Sequence, residues 1–170
     1  VLQVSGPAAE IRARFPNART PPAGREGPQT RIFVPLARAG VRGNLKVMFP
    51  MVTTPEELEA GRALFAEAVG QLQSEGVDAA LPPLGIMVEV PAAALTVEQF
   101  KAAFLSIGSN DLAQYVTACD RSNGSLAKLI DPLNPAVLYL IGRVAEFGRR
   151  GGTSVSLCGD MAGDPRCTAA

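Results

Sequence analysis

Three apolar stretches of this chain each end in polar side chains that can do chemistry. These side chains are the carboxylate of Glu89, the amide and carboxylate of Asn110 and Asp111, and the thiol of Cys158. Two carboxylates suit a hard divalent cation, an amide can donate to an anion, and a thiol can move a proton. Because ligands gather at the carboxyl ends of parallel strands, we expect these groups to share one site.

Glu89 and Asp111 are the candidate metal ligands. Mg²⁺ is commonly held by one or two protein carboxylates, with water and substrate phosphate completing its coordination. Each residue also has a simpler interpretation, since a lone acid at a strand end often faces water and Asp is a favoured helix cap. The pair is more informative than either acid alone and predicts a Mg²⁺ site.

Asn110, Arg121 and Lys46 are the candidate substrate-binding residues. A guanidinium can clamp a phosphate through two parallel hydrogen bonds, and an amide can donate to a phosphate or carboxylate oxygen. The alternatives are a turn residue for Asn110 and a solvated loop residue for Arg121. Lys46 interrupts an otherwise apolar strand, so it is expected to point into a polar cavity or at a partner.

Cys158 is the candidate proton donor. Cysteines at the ends of apolar strands are usually packed in the core, but here Gly159 and Asp160 follow directly and open the backbone. The chain contains no histidine, which removes the commonest general base at neutral pH. Its chemistry must therefore use carboxylates, a thiol, basic side chains or a metal.

The composition argues against several other functions. Sixteen basic and sixteen acidic side chains give no charge excess that would favour nucleic acid or a membrane surface. Aromatic residues make up 5% with no Trp, and no apolar run approaches the ~20 residues that span a bilayer. Three cysteines without CxxC spacing and an N-terminus without a signal-peptide pattern predict a cytoplasmic protein.

Strands and helices alternate along the chain from residue 45. Strands are predicted at residues 45–49, 85–90, 104–107 and 154–158, and helices at 55–76, 92–100, after 111 and at 134–151. Nearly continuous apolar strands are typical of a parallel sheet buried on both faces. The predicted fold class is α/β, with four βα units that would make about half of an eight-stranded barrel.

Residues 1–44 differ from the rest of the chain. Prolines, glycines and arginines recur at residues 5–30 without strand or helix periodicity, and a short helix is predicted at 30–40 despite Pro35. We therefore expect two regions, a poorly patterned or partly ordered segment at 1–44 and a βα barrel segment at 45–170.

Five sequence runs, in this order, resemble the phosphoenolpyruvate-utilising enzymes. They are VMFPM at 47–51, GIMVEVPAA at 85–93, SIGSNDLAQY at 106–115, DR at 120–121 and CGDMAGD at 158–164. The QY and DR runs are most similar to the phosphotransferase-system branch of the family. The resemblance implies a (β/α)₈ TIM-type barrel, present here as an incomplete set of βα units.

The resemblance also implies roles for particular residues. Family members bind Mg²⁺ through the acids that match Glu89 and Asp111, and they hold phosphoenolpyruvate through the positions that match Asn110 and Arg121. The thiol that matches Cys158 protonates the enolate as pyruvate forms. Two positions depart from the usual pattern, because Lys46 stands where the family has arginine and Asp160 where it has glutamate.

Partners follow from the same resemblance. It implies a homodimer that passes the phosphoryl group to a histidine on a separate domain and then to a small phosphocarrier protein in sugar transport. We expect the 170 residues alone to be inactive. The alternatives are an incomplete binding or regulatory module, a relative of phosphoenolpyruvate synthase or pyruvate phosphate dikinase, and another metal-dependent barrel lyase.

Overall fold

A computed structural model describes residues 2–3, 28–120, 122, 124–126 and 129–167, with side chains from Phe33 onward. Five parallel strands form one sheet in the order of the chain. The strands are β1 (Leu2–Gln3), β2 (Val47–Phe49), β3 (Leu84–Val88), β4 (Phe104–Gly108) and β5 (Ser154–Cys158). Parallel strands in sequential order form the wall of a barrel, whereas a doubly wound sheet reverses its strand order.

Helices connect the successive strands. They are α1 (Pro28–Gly40), α2 (Pro55–Ser74), α3 (Pro91–Leu95), α4 (Ser109–Thr117), α5 (Pro135–Gly151) and α6 (Asp160–Gly163), with 3₁₀ turns at Val97–Gln99 and Pro165–Cys167. Helix α2 begins as expected, because the Glu57 carboxylate accepts the backbone N–H groups of Thr53 and Thr54 at 2.6 and 3.2 Å. Helix α5 is capped by Gly152, whose φ of 67° is most favourable for glycine.

The two faces of the sheet bury different side chains. Alternate residues of β2 to β4 pack against the helices in one large core, among them Phe49, Ile86 and Ile107. The opposite face, called here the inner face, carries a small cluster formed by Met48, Met87, Phe104 and the partly buried Cys158. This alternation is the expected period of two for a sheet whose faces are both covered.

The first helix shares the core with the barrel segment. Phe33 of α1 stacks on Phe65 of α2 with ring centroids 4.8 Å apart, and it meets the ring of Phe49 at 6.3 Å. The helix expected at 30–40 is therefore present and continues through Pro35. The division of the chain after residue 44 stays a prediction, since residues 4–27 lie outside the described part.

Strand boundaries were predicted to within about two residues. The first predicted strand begins at Val47 rather than at residue 45, so Lys46 precedes the strand instead of interrupting it. The helix predicted at 92–100 is α3 followed by a 3₁₀ turn. Strand β1 pairs with β2 through Leu2 and Val47 and was not predicted.

No helix within the described ranges is long and apolar enough to cross a membrane.

Candidate functional site

Glu89 is a buried carboxylate at the carboxyl end of β3. It is the first residue after the strand and is only 3% exposed. Its Oε1 accepts the backbone N–H of Met51 at 2.7 Å, so the turn after β2 orients the side chain at the end of β3. Met51 has a φ of 55°, an uncommon conformation for a residue with a side chain. A non-glycine residue in this region costs free energy, so the surrounding structure must hold Met51 in place.

Gly108 makes room for the Glu89 side chain. The end of β4 lies beside the end of β3, and a Cβ at position 108 would be 2.8 Å from Glu89 Oε2 and 2.9 Å from Glu89 Cβ. Only a residue without a side chain leaves the carboxylate where it is. The glycine that ends the strand is therefore part of the site.

Asp111 lies in the first turn of α4, which begins directly after β4. The N-cap position of this helix is Gly108, so Asp111 is not the simple helix cap that the sequence allowed. Because Gly108 touches Glu89, the two acids are at the same end of neighbouring strands. Carboxylate oxygens are ligands that Mg²⁺ prefers, and the metal-binding role of the two acids stays a prediction. In the described part of the chain, no group of three or more His, Cys, Asp or Glu side chains could hold a metal.

Asn110 and Ser109 tie the end of β4 to the end of β5. The Asn110 side-chain oxygen accepts the backbone N–H of Asp160 at 3.0 Å, and the Ser109 hydroxyl donates to the carbonyl of Cys158 at 2.8 Å. A backbone N–H can be accepted only by the amide oxygen. The Nδ2 group of Asn110 therefore points away from Asp160 and can donate to another group. Gly159, at φ 98°, fits against both Ser109 and Asn110, where a Cβ would collide.

Cys158 ends β5 on the inner face. Its thiol donates to the carbonyl of Ile107 at 3.3 Å, and the Ser106 hydroxyl donates to its sulfur at 3.6 Å. Cys158 also packs against the apolar cluster of the inner face, which agrees with the simpler interpretation of a core cysteine. Gly159 follows directly and has no side chain. The thiol therefore lies at the carboxyl ends of the strands, where the acids and the amide are also found.

Lys46 lies at the opposite end of the sheet. It is exposed, and its Nζ is 5.4 Å from the centre of the Phe104 ring, a cation–π distance at the start of β4. It shares the inner face with Met48, two residues further along. A substrate-binding role for Lys46 stays a prediction, since the contact found here is made at the amino ends of the strands.

Arg121 lies outside the described residues, so its predicted role is untested. The loop around it is partly described. The Asp120 carboxylate accepts the hydroxyl and the backbone N–H of Ser122 at 2.7 and 2.8 Å, and these hydrogen bonds hold the pKa of Asp120 below its usual value.

A cavity of about 280 Å³ adjoins Asn110 between α4, α6 and the loop before α5. Asp160 and an ion pair between Asp164 and Arg166 are part of its lining. The hydrogen bonds from Arg166 lower the pKa of the Asp164 carboxyl. The cavity lies at the carboxyl ends of the strands, and its lining includes Asn110 but not Glu89, Asp111 or Cys158.

Sequence reasoning missed two residues that contact the site. Met51 was noted only as part of a motif, and its N–H to Glu89 depends on a turn that no local pattern specifies. Ser106 was not singled out, although a polar residue on the inner side of an apolar strand was a visible signal.

Sequential parallel strands with polar groups at their carboxyl ends define a protein of the (β/α)₈ barrel class, present as an incomplete set of units. A solved structure of an HpcH/Hpal aldolase/citrate lyase family protein from Burkholderia cenocepacia J2315 has a similar fold. The TM-score is 0.50 at 19% identity, over 69% of this chain and 52% of that chain. At this identity the likeness shows the fold alone.

The chain belongs to the PEP-utilising enzymes, because the family model of their PEP-binding domain matches residues 29–170. A phosphoenolpyruvate-protein phosphotransferase of Bacillus sp. (strain S) is 47% identical over 133 residues, which are 76% of this chain and 23% of that protein. The enzyme of the same name from Haloferax volcanii is 44% identical over 151 residues, 84% of this chain and 27% of that protein. The chain thus spans about a quarter of the length of these relatives.

Proposed function

We propose that these residues form the part of a phosphoenolpyruvate-protein phosphotransferase that binds phosphoenolpyruvate and Mg²⁺ and releases pyruvate. One observation carries the proposal. In a chain of this family, the buried Glu89, the oriented amide of Asn110 and the thiol of Cys158 lie at the ends of adjacent strands. Phosphoryl transfer depends mainly on positioning and charge neutralisation, which such a constellation can supply.

The acids are proposed to bind the metal, and the amide and the cationic side chains are proposed to bind the substrate. Glu89 and Asp111 would hold the Mg²⁺ ion, which when bound neutralises charge on the phosphate and on the developing enolate oxygen. Asn110 donates its Nδ2 hydrogens to an oxygen of the substrate. Arg121 is proposed to bind the substrate phosphate or carboxylate as a cation. Lys46 would share that role only for a ligand that extends along the inner face to the amino ends of the strands.

Cys158 is proposed to donate the proton that turns enolate into pyruvate. Replacing Cys158 with Ala should leave phosphoenolpyruvate binding nearly intact and block pyruvate formation in an enzyme that also has its histidine domain. A C158A enzyme that still forms pyruvate at the wild-type rate would remove this role.

The acceptor of the phosphoryl group must lie elsewhere, because the 170 residues contain no histidine. We propose a histidine on a separate domain, from which the group passes to a small phosphocarrier protein in the cytoplasm during sugar transport. Assembly as a homodimer is part of the same proposal. The second candidate is a module that binds phosphoenolpyruvate without transferring its phosphate.

The first test is isothermal titration of the chain with phosphoenolpyruvate in the presence of MgCl₂ or EDTA. We expect binding only with Mg²⁺, and none in Glu89→Gln, which keeps an acceptor for the Met51 N–H but loses the charge. A folded chain that binds nothing would refute both candidates. Binding without pyruvate release after the histidine domain is added would favour the second.

A further inference from the structure

Ser106 is a buried polar residue in the middle of an apolar strand. It is 7% exposed and lies on the inner face of β4, where its strand neighbours in register are Met87 of β3 and Ser156 of β5. A buried hydroxyl costs free energy unless it makes a hydrogen bond. The hydrogen bond found for Ser106 runs diagonally to the sulfur of Cys158, at 3.6 Å.

The contacts of Cys158 give its thiol a defined orientation. The S–H donates to the Ile107 carbonyl at 3.3 Å, while the Ser106 hydroxyl donates to the same sulfur. The thiol therefore donates one hydrogen bond, to the Ile107 carbonyl, and its sulfur accepts another from the Ser106 hydroxyl. The second partner matters most when the sulfur carries negative charge, because hydrogen bonds to charged groups are stronger.

We propose that Ser106 is a positioning residue for Cys158, which fixes the sulfur and stabilises its thiolate. The inference deepens the proposed function and rests on the proton-donor role of Cys158. In that step the S–H bond breaks and its proton forms a C–H bond with the electron pair of the enolate carbon. The sulfur keeps the S–H electron pair as thiolate, held by the Ser106 hydroxyl until solvent returns a proton.

Charged side chains of both signs lie at this end of the sheet. They are Glu89 after β3, Asp111 in α4, Asp160 in α6 and the ion pair between Asp164 and Arg166. Lys46 is on the same face but at the amino ends of the strands. The Ser106 hydroxyl is neutral and lies within hydrogen-bond distance of the sulfur.

Alkylation of the chain by iodoacetamide at one fixed pH tests the proposal, because the thiolate is the reactive form. Peptide mass spectrometry follows Cys158, with Cys119 and Cys167 in the same sample as internal references. In Ser106→Ala we expect Cys158 to react about three- to tenfold more slowly, the effect of one lost hydrogen bond. The two reference cysteines should react at unchanged rates.

Ser106→Thr is the matched control, because it keeps the hydroxyl and should restore a rate close to that of the wild type. An unchanged or faster reaction of Cys158 in a folded S106A chain would overturn the proposal, as would equal slowing in S106A and S106T. The alkylation rates require no turnover. A failure of the proton-donor role, seen as pyruvate formation by C158A, is therefore distinguishable from a failure of the Ser106 contact.

Discussion

The orientation of the Asn110 side-chain amide is determined, because only its oxygen can accept a backbone N–H. Its oxygen is committed to the backbone N–H of Asp160, which leaves the Nδ2 group as a donor. The side chain is thus proposed to have two roles, a structural one that joins the ends of β4 and β5 and a binding one in which Nδ2 donates to an anion. Substitutions that remove only one of these interactions test the binding role directly.

Asn110→Asp should keep the bond to the Asp160 N–H and lose the donor, while adding a negative charge. We expect the affinity for phosphoenolpyruvate with Mg²⁺ to fall about ten- to hundredfold, since a hydrogen bond to a charged group is worth roughly 1.5–3 kcal/mol. Isothermal titration measures the affinity, and thermal unfolding should show nearly wild-type stability. Asn110→Ala is the comparison, because it loses both contacts and should also unfold at a lower temperature. Wild-type affinity in N110D would show that Asn110 does not bind the anion.

At the scale of elements, two strand ends and one turn determine where the Glu89 carboxylate lies. The turn after β2 supplies the Met51 N–H, β3 supplies the acid, and β4 ends in a glycine that leaves space for it. The site is therefore sensitive to side-chain volume at Gly108, which itself has no chemical group to contribute.

Gly108→Ala should displace the Glu89 side chain, because the new Cβ would lie 2.8 Å from Oε2. We expect loss of Mg²⁺-dependent binding and a destabilisation of about 1–3 kcal/mol, typical of overpacking. Titration with phosphoenolpyruvate and denaturant unfolding measure the two effects. Gly70→Ala is the control, since a Cβ there meets nothing within 4 Å and alanine favours the interior of α2. G70A should keep binding and be slightly more stable, and a G108A chain that binds normally would contradict the steric role of Gly108.

The strands from residue 45 onward could be predicted because their signals are local. Apolar runs, a capping box and helix-ending glycines each determine structure over a few residues, and those elements were found with small errors at their ends. Contacts between distant residues could not be predicted in the same way. The Met51 N–H to Glu89 joins residues 38 apart and the Ser106 hydroxyl to Cys158 joins residues 52 apart, so both depend on the register of neighbouring strands.

The position of Lys46 shows the same limit. The sequence already placed it away from the carboxyl ends of the strands, but it did not show whether the charge would face a polar cavity, a partner or solvent. In the structure Lys46 is exposed and lies over the ring of Phe104, one residue before β2 begins. That contact joins residues 58 apart in the sequence, so it too depends on how the strands are arranged in the sheet.

At the scale of the whole molecule, the groups of the site come from four successive parts of one sheet. Met51 follows β2, Glu89 follows β3, Asn110 and Asp111 follow β4, and Cys158 ends β5. A ligand that contacts all of them must hold these strand ends together. Binding at one edge should therefore stabilise the entire fold, because the strands share one core with the helices.

Thermal unfolding should reveal this linkage. At a phosphoenolpyruvate concentration a hundred times Kd, with Mg²⁺ present, the free energy of unfolding should rise by about 2.7 kcal/mol. For a chain of this size that corresponds to roughly 5–10 °C in Tm. EDTA or Glu89→Gln should abolish the shift, because both remove the cation that the acids are proposed to hold. Differential scanning calorimetry measures it, and an equal rise in Tm with EDTA present would mean that the ligand binds without the metal and that Glu89 and Asp111 have another role.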